Sequence, residues 1–127
     1  MIIRIIALSG VLIIILIIAI TYTLKKAQKL PLNSPVHFLE DSARDKNKKT
    51  VVCVGNSITH GQVSYNYVNI LSDRLSGDGY QFVNAGINGN LVYNVVNRLD
   101  MIIRCDPDYV TVLIGTNDVN VSLSQKN

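Results

Sequence analysis

The chain of 127 residues has few of the side chains from which metal and redox sites are built. It contains two histidines and two cysteines, and Cys53 and Cys105 lack the C-x-x-C spacing of a zinc or redox motif. Two cysteines do not form a disulfide framework, and we interpret Cys53, which lies inside an apolar run, as a small core residue. The sequence therefore predicts no metal centre.

Clustered positive charge is missing from the C-terminal part of the chain. Residues 1–49 contain eight Lys and Arg against three Asp and Glu, whereas residues 50–127 contain four against six. A nucleic-acid-binding surface needs basic residues clustered on the folded part, so we exclude nucleic acid as a partner. The chain also lacks the G-x-G-x-x-G and G-K-[ST] motifs of dinucleotide- and phosphate-binding units.

One long hydrophobic run is present near the N-terminus. Residues 5–24 carry no charge, and a helix of that length crosses the ~30 Å hydrocarbon core of a bilayer. Lys25 and Lys26 follow directly, without the small-residue cleavage site of a signal peptide. We therefore predict that residues 1–26 form a single transmembrane anchor, with a cleaved signal peptide as the alternative.

The segment after the anchor has no regular pattern. Residues 27–49 contain Pro31, Pro35 and a charged stretch without sustained periodicity, which is typical of a linker. We expect this linker to lift a folded domain, residues 50–127, off the membrane.

Strands and helices alternate from Thr50 onward. Three short apolar runs predict strands: residues 50–54, 81–83 and 109–114. Two sets of apolar residues between them recur at helical spacing: Val68, Leu71 and Leu75, then Leu91, Val95 and Leu99. We expect Ser64 to cap the first helix and Gly77 to end it. This alternation predicts an α/β fold, with a parallel sheet and helices on both faces.

Each predicted strand is followed by a loop of glycine and small polar residues. These loops have the sequences GNSITHG (residues 55–61), NAGINGN (residues 84–90) and GTND (residues 115–118). In parallel sheets ligands bind outside the carboxyl ends of the strands. We therefore expect one crevice that presents a hydroxyl, several amides and backbone N–H groups.

The three loops resemble, in order, the GDS, glycine and GxND blocks of the SGNH hydrolases, the GDSL-like lipases and esterases. The resemblance covers residues 50–119 and implies a flavodoxin-like fold, incomplete here, and ester hydrolysis through an acyl-enzyme without a metal or cofactor. It implies that Ser57 is the nucleophile. The backbone N–H of Gly89 and the side-chain amide of Asn117 match the donors that hold the oxyanion, and Asn90 is expected to line the substrate crevice.

The sequence departs from the family pattern at two points. Asn56 replaces the aspartate of the first block, although both side chains can accept a hydrogen bond in an Asx-type turn. The D-x-x-H block that supplies the family's catalytic histidine does not occur, and a serine hydroxyl is a poor nucleophile without an adjacent base. We interpret His60 as lining the pocket or facing solvent. The chain is therefore expected to be the nucleophile-bearing, N-terminal part of an esterase and inactive by itself.

Two functions follow from these patterns. The first is a membrane-anchored serine esterase whose substrate is an acylated carbohydrate or lipid. The alternative is a non-catalytic, membrane-tethered module that binds such a molecule without turnover. Lys25, Lys26 and Lys29 favour a cytoplasmic domain by the positive-inside tendency, but members of the family are often exported, and we predict an extracytoplasmic domain. The sequence does not determine the oligomeric state.

Overall fold

The computed structural model of the protein describes residues 2–41, 44–62 and 64–124. The outermost ends of the predicted anchor and domain, Met1 and residues 125–127, lie outside the described residues. The chain begins with a long helix, α1 (Ile2–Gln28), and a short one, α2 (Pro35–Glu40). The elements that follow are β1 (Lys49–Gly55), α3 (Ser57–His60), α4 (Tyr67–Leu75), a 3₁₀ turn (Ser76–Asp78), β2 (Tyr80–Gly86), α5 (Val92–Val96), α6 (Leu99–Arg104), β3 (Tyr109–Leu113) and α7 (Thr116–Ser124).

The three strands form one parallel sheet in the order β2–β1–β3. This arrangement confirms the predicted α/β fold. The pairing also sets the strand ends level, because Gly55 at the end of β1 is opposite both Gly86 of β2 and Leu113 of β3. The three polar loops therefore leave the sheet side by side at its carboxyl edge.

Both faces of the sheet are covered by helices, as the alternation predicted. Successive residues of a strand point to opposite faces, and two buried clusters result. One contains Val52, Val54, Val83, Ala85, Val95, Ile102 and Cys105, and the other contains Val51, Cys53, Val68 and Phe82. Cys53 is fully buried and both cysteines are free thiols, so the interpretation of Cys53 as a core residue is confirmed.

The strand β3 is less well covered than β1 and β2. All five of its residues are exposed, including the apolar Val110, Val112 and Leu113. It pairs with β1 along one edge.

The bounds of the first helix after β1 differ from the prediction. Asn66 rather than Ser64 caps α4, and its Oδ1 accepts a hydrogen bond from the backbone N–H of Asn69 at 3.1 Å. The 3₁₀ turn prolongs the helix, so Gly79 (φ 83°) rather than Gly77 takes the left-handed conformation that ends it.

The second predicted helix is two helices. The chain leaves helical geometry at Arg98, between α5 and α6, where the side chain of Arg98 turns toward the sheet. Helix α7 was not predicted, because its short polar sequence has no apolar stripe, and its described residues are not buried.

The predicted linker is partly packed against the domain rather than detached from it. Ser34 and Pro35 are buried, and Phe38 and Leu39 of α2 pack against the core cluster of the sheet. The linker prediction is wrong for α2. Pro35 starts this helix, and the adjacent apolar side chains of Phe38 and Leu39 are stabilised against the core because packing there removes them from water.

Helix α1 has the properties predicted for an anchor. Ser9–Gln28 is 20 residues long, has a mean hydropathy of 2.0 and is not buried against the rest of the described chain. Its length and composition suit a membrane span, and a signal sequence near the N-terminus has the same properties.

Gly86 allows a close approach that a larger residue would prevent. A Cβ there would lie 2.2 Å from the backbone nitrogen of His60 and 2.6 Å from the carbonyl carbon of Thr59. We predict that Gly86→Ala lowers the free energy of unfolding by about 1–3 kcal/mol or more, because backbone rather than a flexible side chain must move. Urea unfolding measures this change. Gly77→Ala is the control, since a Cβ there meets no atom within 4 Å, and equal effects of the two variants would contradict the close approach.

Candidate active site

Ser57 stands at the start of a tight helical turn directly after β1. Asn56 caps this turn, and its Oδ1 accepts a hydrogen bond from the backbone N–H of Ile58 at 3.1 Å. Gly61 ends the turn in the left-handed conformation (φ 75°). The Asx-type turn expected at Asn56 is therefore present. Ser57 is partly exposed at the carboxyl edge of the sheet, where an incoming substrate can reach it.

The buried side chain of Asn84 connects the first two loops. Its side chain is fully buried and its Nδ2 donates to the carbonyl oxygen of Thr59 at 2.9 Å and to Asn66 Oδ1 at 3.3 Å. Its Oδ1 accepts a hydrogen bond from the backbone N–H of Gly86 at 3.0 Å. These bonds join the Ser57 turn to the end of β2, so Asn84 shapes both loops.

The two predicted oxyanion donors lie on loops that touch each other. Gly89 adopts the left-handed conformation (φ 75°), and the space beside its Cα is open. The next residue, Asn90, accepts a hydrogen bond at its backbone oxygen from Asn117 Nδ2 at 3.0 Å. A primary amide has two N–H donors, and this bond uses one of them. The oxyanion roles of Gly89 and Asn117 stay predictions.

Arg98, which the sequence analysis did not single out, holds the ends of two strands together. Its Nη2 donates to the carbonyl oxygens of Ala85 at 2.8 Å and Gly55 at 3.3 Å, and its Nε donates to Asn90 Oδ1 at 3.0 Å. Burial lowers the pKa of the guanidinium, but an arginine stays charged in proteins. The Asn90 side chain is thus engaged by Arg98, and its contact with substrate stays a prediction. No sequence signal separates Arg98 from a surface arginine of a helix.

Two further hydrogen bonds fix the loops at this edge. The Asp118 carboxylate accepts from the backbone N–H of Val92 at 3.1 Å, which attaches the third loop to the start of α5. The backbone N–H of Ile87 donates to the carbonyl oxygen of Gly55 at 3.2 Å, which attaches the second loop to the end of β1. Hydrogen bonds therefore join all three loops at the edge of the sheet where the parallel strands end.

His60 is the last residue of the Ser57 turn. It is 3% exposed, and its buried Nδ1 has no hydrogen-bond partner among the described residues. It lines a small cavity of about 220 Å³ with Lys29, Pro31 and Gln62. His60 therefore lines a pocket, and the expectation that it faces solvent is wrong. Burial lowers the pKa of the His60 imidazole, and the nearby backbone of Lys29 opposes this shift.

The groups at this edge suit acyl transfer. Within residues 2–41, 44–62 and 64–124, no three His, Cys, Asp or Glu side chains converge as metal ligands. What the edge offers is the Ser57 hydroxyl together with uncharged N–H donors on the second and third loops. Fixed donors of this kind stabilise the negative charge that develops on a carbonyl oxygen when a nucleophile attacks it.

Comparison with known proteins gives the class of the fold. The crystal structure of an acetyl xylan esterase, AlAXEase, superposes with a TM-score of 0.53 at 31% identity, over 61% of this chain and 42% of that one. AlinE4, an esterase of the SGNH-hydrolase family, gives a TM-score of 0.51 at 21% identity, over 61% of this chain and 46% of that one. This second likeness is one of fold alone. The chain spans less than half the length of either esterase.

The GDSL-like lipase/acylhydrolase family matches residues 53–127, which is more than half of the chain, and the chain belongs to this family. The resemblance inferred from the three loops is thereby confirmed. No curated protein sequence matches the chain significantly.

The buried His60 makes stability depend on pH. Its pKa is lowered in the folded state, whereas in the unfolded chain it is near 6.5. Below about pH 6.5 the unfolded state binds the proton first, so we predict that the free energy of unfolding falls as pH decreases through this range. Urea unfolding between about pH 7.5 and 5 measures the slope. His60→Gln should reduce this slope, and equal slopes in wild type and His60→Gln would contradict the role of His60.

Proposed function

We propose that the protein is a membrane-anchored serine esterase in which this chain supplies the nucleophile and the oxyanion donors. The observation that carries the proposal is the junction of the three family loops at one sheet edge. Ser57 begins the helical turn after β1, and Asn117 donates to the backbone oxygen of Asn90 beside Gly89. Membership of the GDSL-like lipase/acylhydrolase family supports the same assignment.

In the proposed reaction the Ser57 Oγ attacks the carbonyl carbon of the ester. The carbonyl oxygen takes up the negative charge and is held by the N–H of Gly89 and the free N–H of the Asn117 amide. Collapse of this intermediate releases the alcohol with a proton and leaves an acyl group on Ser57. Attack of water on the acyl-enzyme then releases the carboxylic acid and restores the serine.

The base that accepts the Ser57 proton is assigned to a residue outside those described. A serine nucleophile needs such a base within hydrogen-bond reach, and within the described residues the Ser57 hydroxyl has no hydrogen-bond partner. His60 is not assigned the role, because its side chain is buried and lines a cavity with Lys29, Pro31 and Gln62 that Ser57 does not line. The resemblance to the family assigns the role to a histidine of a D-x-x-H block.

The proposed substrate is a small acyl ester of a carbohydrate or lipid. The support is the similarity to a protein named an acetyl xylan esterase. The apolar helix α1 is proposed as an uncleaved single-pass anchor, with the domain on the extracytoplasmic side. Its 20-residue span suits the thickness of a bilayer.

Loss of the nucleophile is the direct test. We predict that Ser57→Ala in the full-length protein reduces hydrolysis of p-nitrophenyl acetate by at least about 10³-fold, because no acyl-enzyme forms. Ser64→Ala is the matched control, since this hydroxyl is exposed and makes only a long bond of 3.4 Å to the carbonyl of Ile58. Full activity of Ser57→Ala would contradict the proposal. Saturable binding of the ester without turnover in the wild-type protein would favour the non-catalytic module.

Removal of one oxyanion donor should act on the chemical step. We predict that Asn117→Ala lowers kcat by about 10²–10³-fold with little change in KM, because the lost N–H bonds the oxygen mainly in the transition state. Steady-state kinetics with the same ester measure both constants. Asn69→Ala, on the exposed face of α4, is the control, and a pure KM effect of Asn117→Ala would count against an oxyanion role.

A further inference from the structure

The end of α1 is attached to the carboxyl edge of the sheet, where the candidate active site lies. The carbonyl oxygen of Ala27, in the last turn of α1, accepts a hydrogen bond of 2.5 Å from Asn88 Nδ2. Asn88 directly precedes Gly89 in the second loop. Lys29, just past the helix, lines the same small cavity as His60 of the Ser57 turn. The last turn of α1 and the residue after it therefore adjoin two of the three loops.

The segment that follows α1 is also bonded to the domain. Asn33 lies alongside β2, where its carbonyl accepts from the backbone N–H of Asn84 at 2.8 Å and its Nδ2 donates to the carbonyl of Phe82 at 3.3 Å. Ser34 and Pro35 are buried. The connection is thus bonded and packed at several successive residues, unlike a flexible linker, whose reach grows with the square root of its length.

The distance from Leu24 to Ala27 along α1 gives the depth of the Ala27–Asn88 contact in the membrane. Leu24 is the last apolar residue of the span before Lys25 and Lys26. Ala27 is three residues further, which is about 4.5 Å along a helix. The polar headgroup region of a bilayer is about 5–8 Å thick on each side, which is half the difference between the total and the hydrocarbon thickness. The contact between Ala27 and Asn88 therefore falls within the headgroup region.

The exposed side chains near the Ala27–Asn88 contact are of types that favour the headgroup region. Tyr22 is 67% exposed near the end of the span, and tyrosine is enriched at the level of the headgroups. Lys25, Lys26 and Lys29 are exposed, and cations next to a span are attracted to anionic lipids.

We propose that the carboxyl edge of the sheet is held in the headgroup layer of the membrane, so that the ester hydrolysed at Ser57 is carried by a membrane-borne molecule. This inference rests on the proposed esterase function and on α1 as an uncleaved anchor. It holds for either side of the membrane. A soluble ester can enter the same site, but a lipid-linked ester in the same bilayer is presented to Ser57 at much higher effective concentration.

The position of the edge can be measured without any catalysis. Single-cysteine spin labels are placed at Ile58, the exposed neighbour of Ser57, and at Lys46, near the opposite end of β1, in the full-length protein reconstituted in phosphatidylcholine vesicles. A strand of seven residues separates these positions by about 20 Å. Cys53 and Cys105 are fully buried and should not react. We expect several-fold stronger relaxation by a lipid-attached nickel chelate at Ile58 than at Lys46, and equal or reversed relaxation overturns the proposed location.

The substrate class is tested with one acetylated glucoside in two forms, with a methyl aglycone in solution or an octadecyl aglycone in the vesicles. A flexible Gly-Ser insertion of about eight residues between Gln28 and Lys29 breaks the Ala27–Asn88 contact and lets the domain move roughly 15 Å. We expect this insertion to reduce acetate release from the octadecyl form by roughly tenfold and to leave release from the methyl form unchanged. The same insertion after Gly77, in the turn before β2, should leave acetate release from both forms unchanged.

The outcomes separate the two proposals. An equal loss on both forms, or no loss on either, overturns the membrane-borne substrate while leaving the esterase intact. Absence of hydrolysis of either form by the wild-type protein overturns the esterase function, and the spin-label comparison then still decides where the edge lies. Acetate release from the octadecyl glucoside, compared with release of fatty acid from the phosphatidylcholine, distinguishes a carbohydrate ester from a lipid ester.

Discussion

The register between β1 and its two neighbours determines the geometry of the candidate site. Gly55 stands opposite Gly86 on one side and Leu113 on the other, so the loops that follow begin at the same level. A slip of one residue would exchange the two faces of a strand and bury its outward residues in the wrong cluster. Val52 and Val54 pack on one face and Val51 and Cys53 on the other. The packing of the core therefore fixes the position of Ser57 relative to the second and third loops.

Buried polar groups then hold the loops in place above this sheet. Asn84 and Arg98 together bond the backbone at the ends of β1 and β2 and in the Ser57 turn. A buried donor without its partner costs about 1–3 kcal/mol, so displacing one loop leaves groups of the others unsatisfied. Such coupling gives an active site the rigidity that preorganised oxyanion donors require.

The sequence predicted the fold class and the order of strands and helices, because apolar runs and helical spacing are local signals. It also predicted which loops meet, since all parallel strands end at one edge. Arg98 was not found, because its role depends on carbonyls of Gly55 and Ala85 that are brought together only by the sheet. The packing of Phe38 and Leu39 was missed for a different reason, because a six-residue helix carries too little periodicity to be recognised. The roles of Ser57, Gly89 and Asn117 came from the family's motifs, and these roles are still predictions.

The uncovered strand β3 has a consequence for how the protein behaves in solution. One edge of β3 carries backbone N–H and C=O groups that β1 does not use, and its apolar side chains are exposed. An exposed apolar edge of this kind is a template for pairing with another strand. If residues 49–124 were produced by themselves, they would therefore tend to self-associate, and their colloidal stability would depend on what shields the edge of β3.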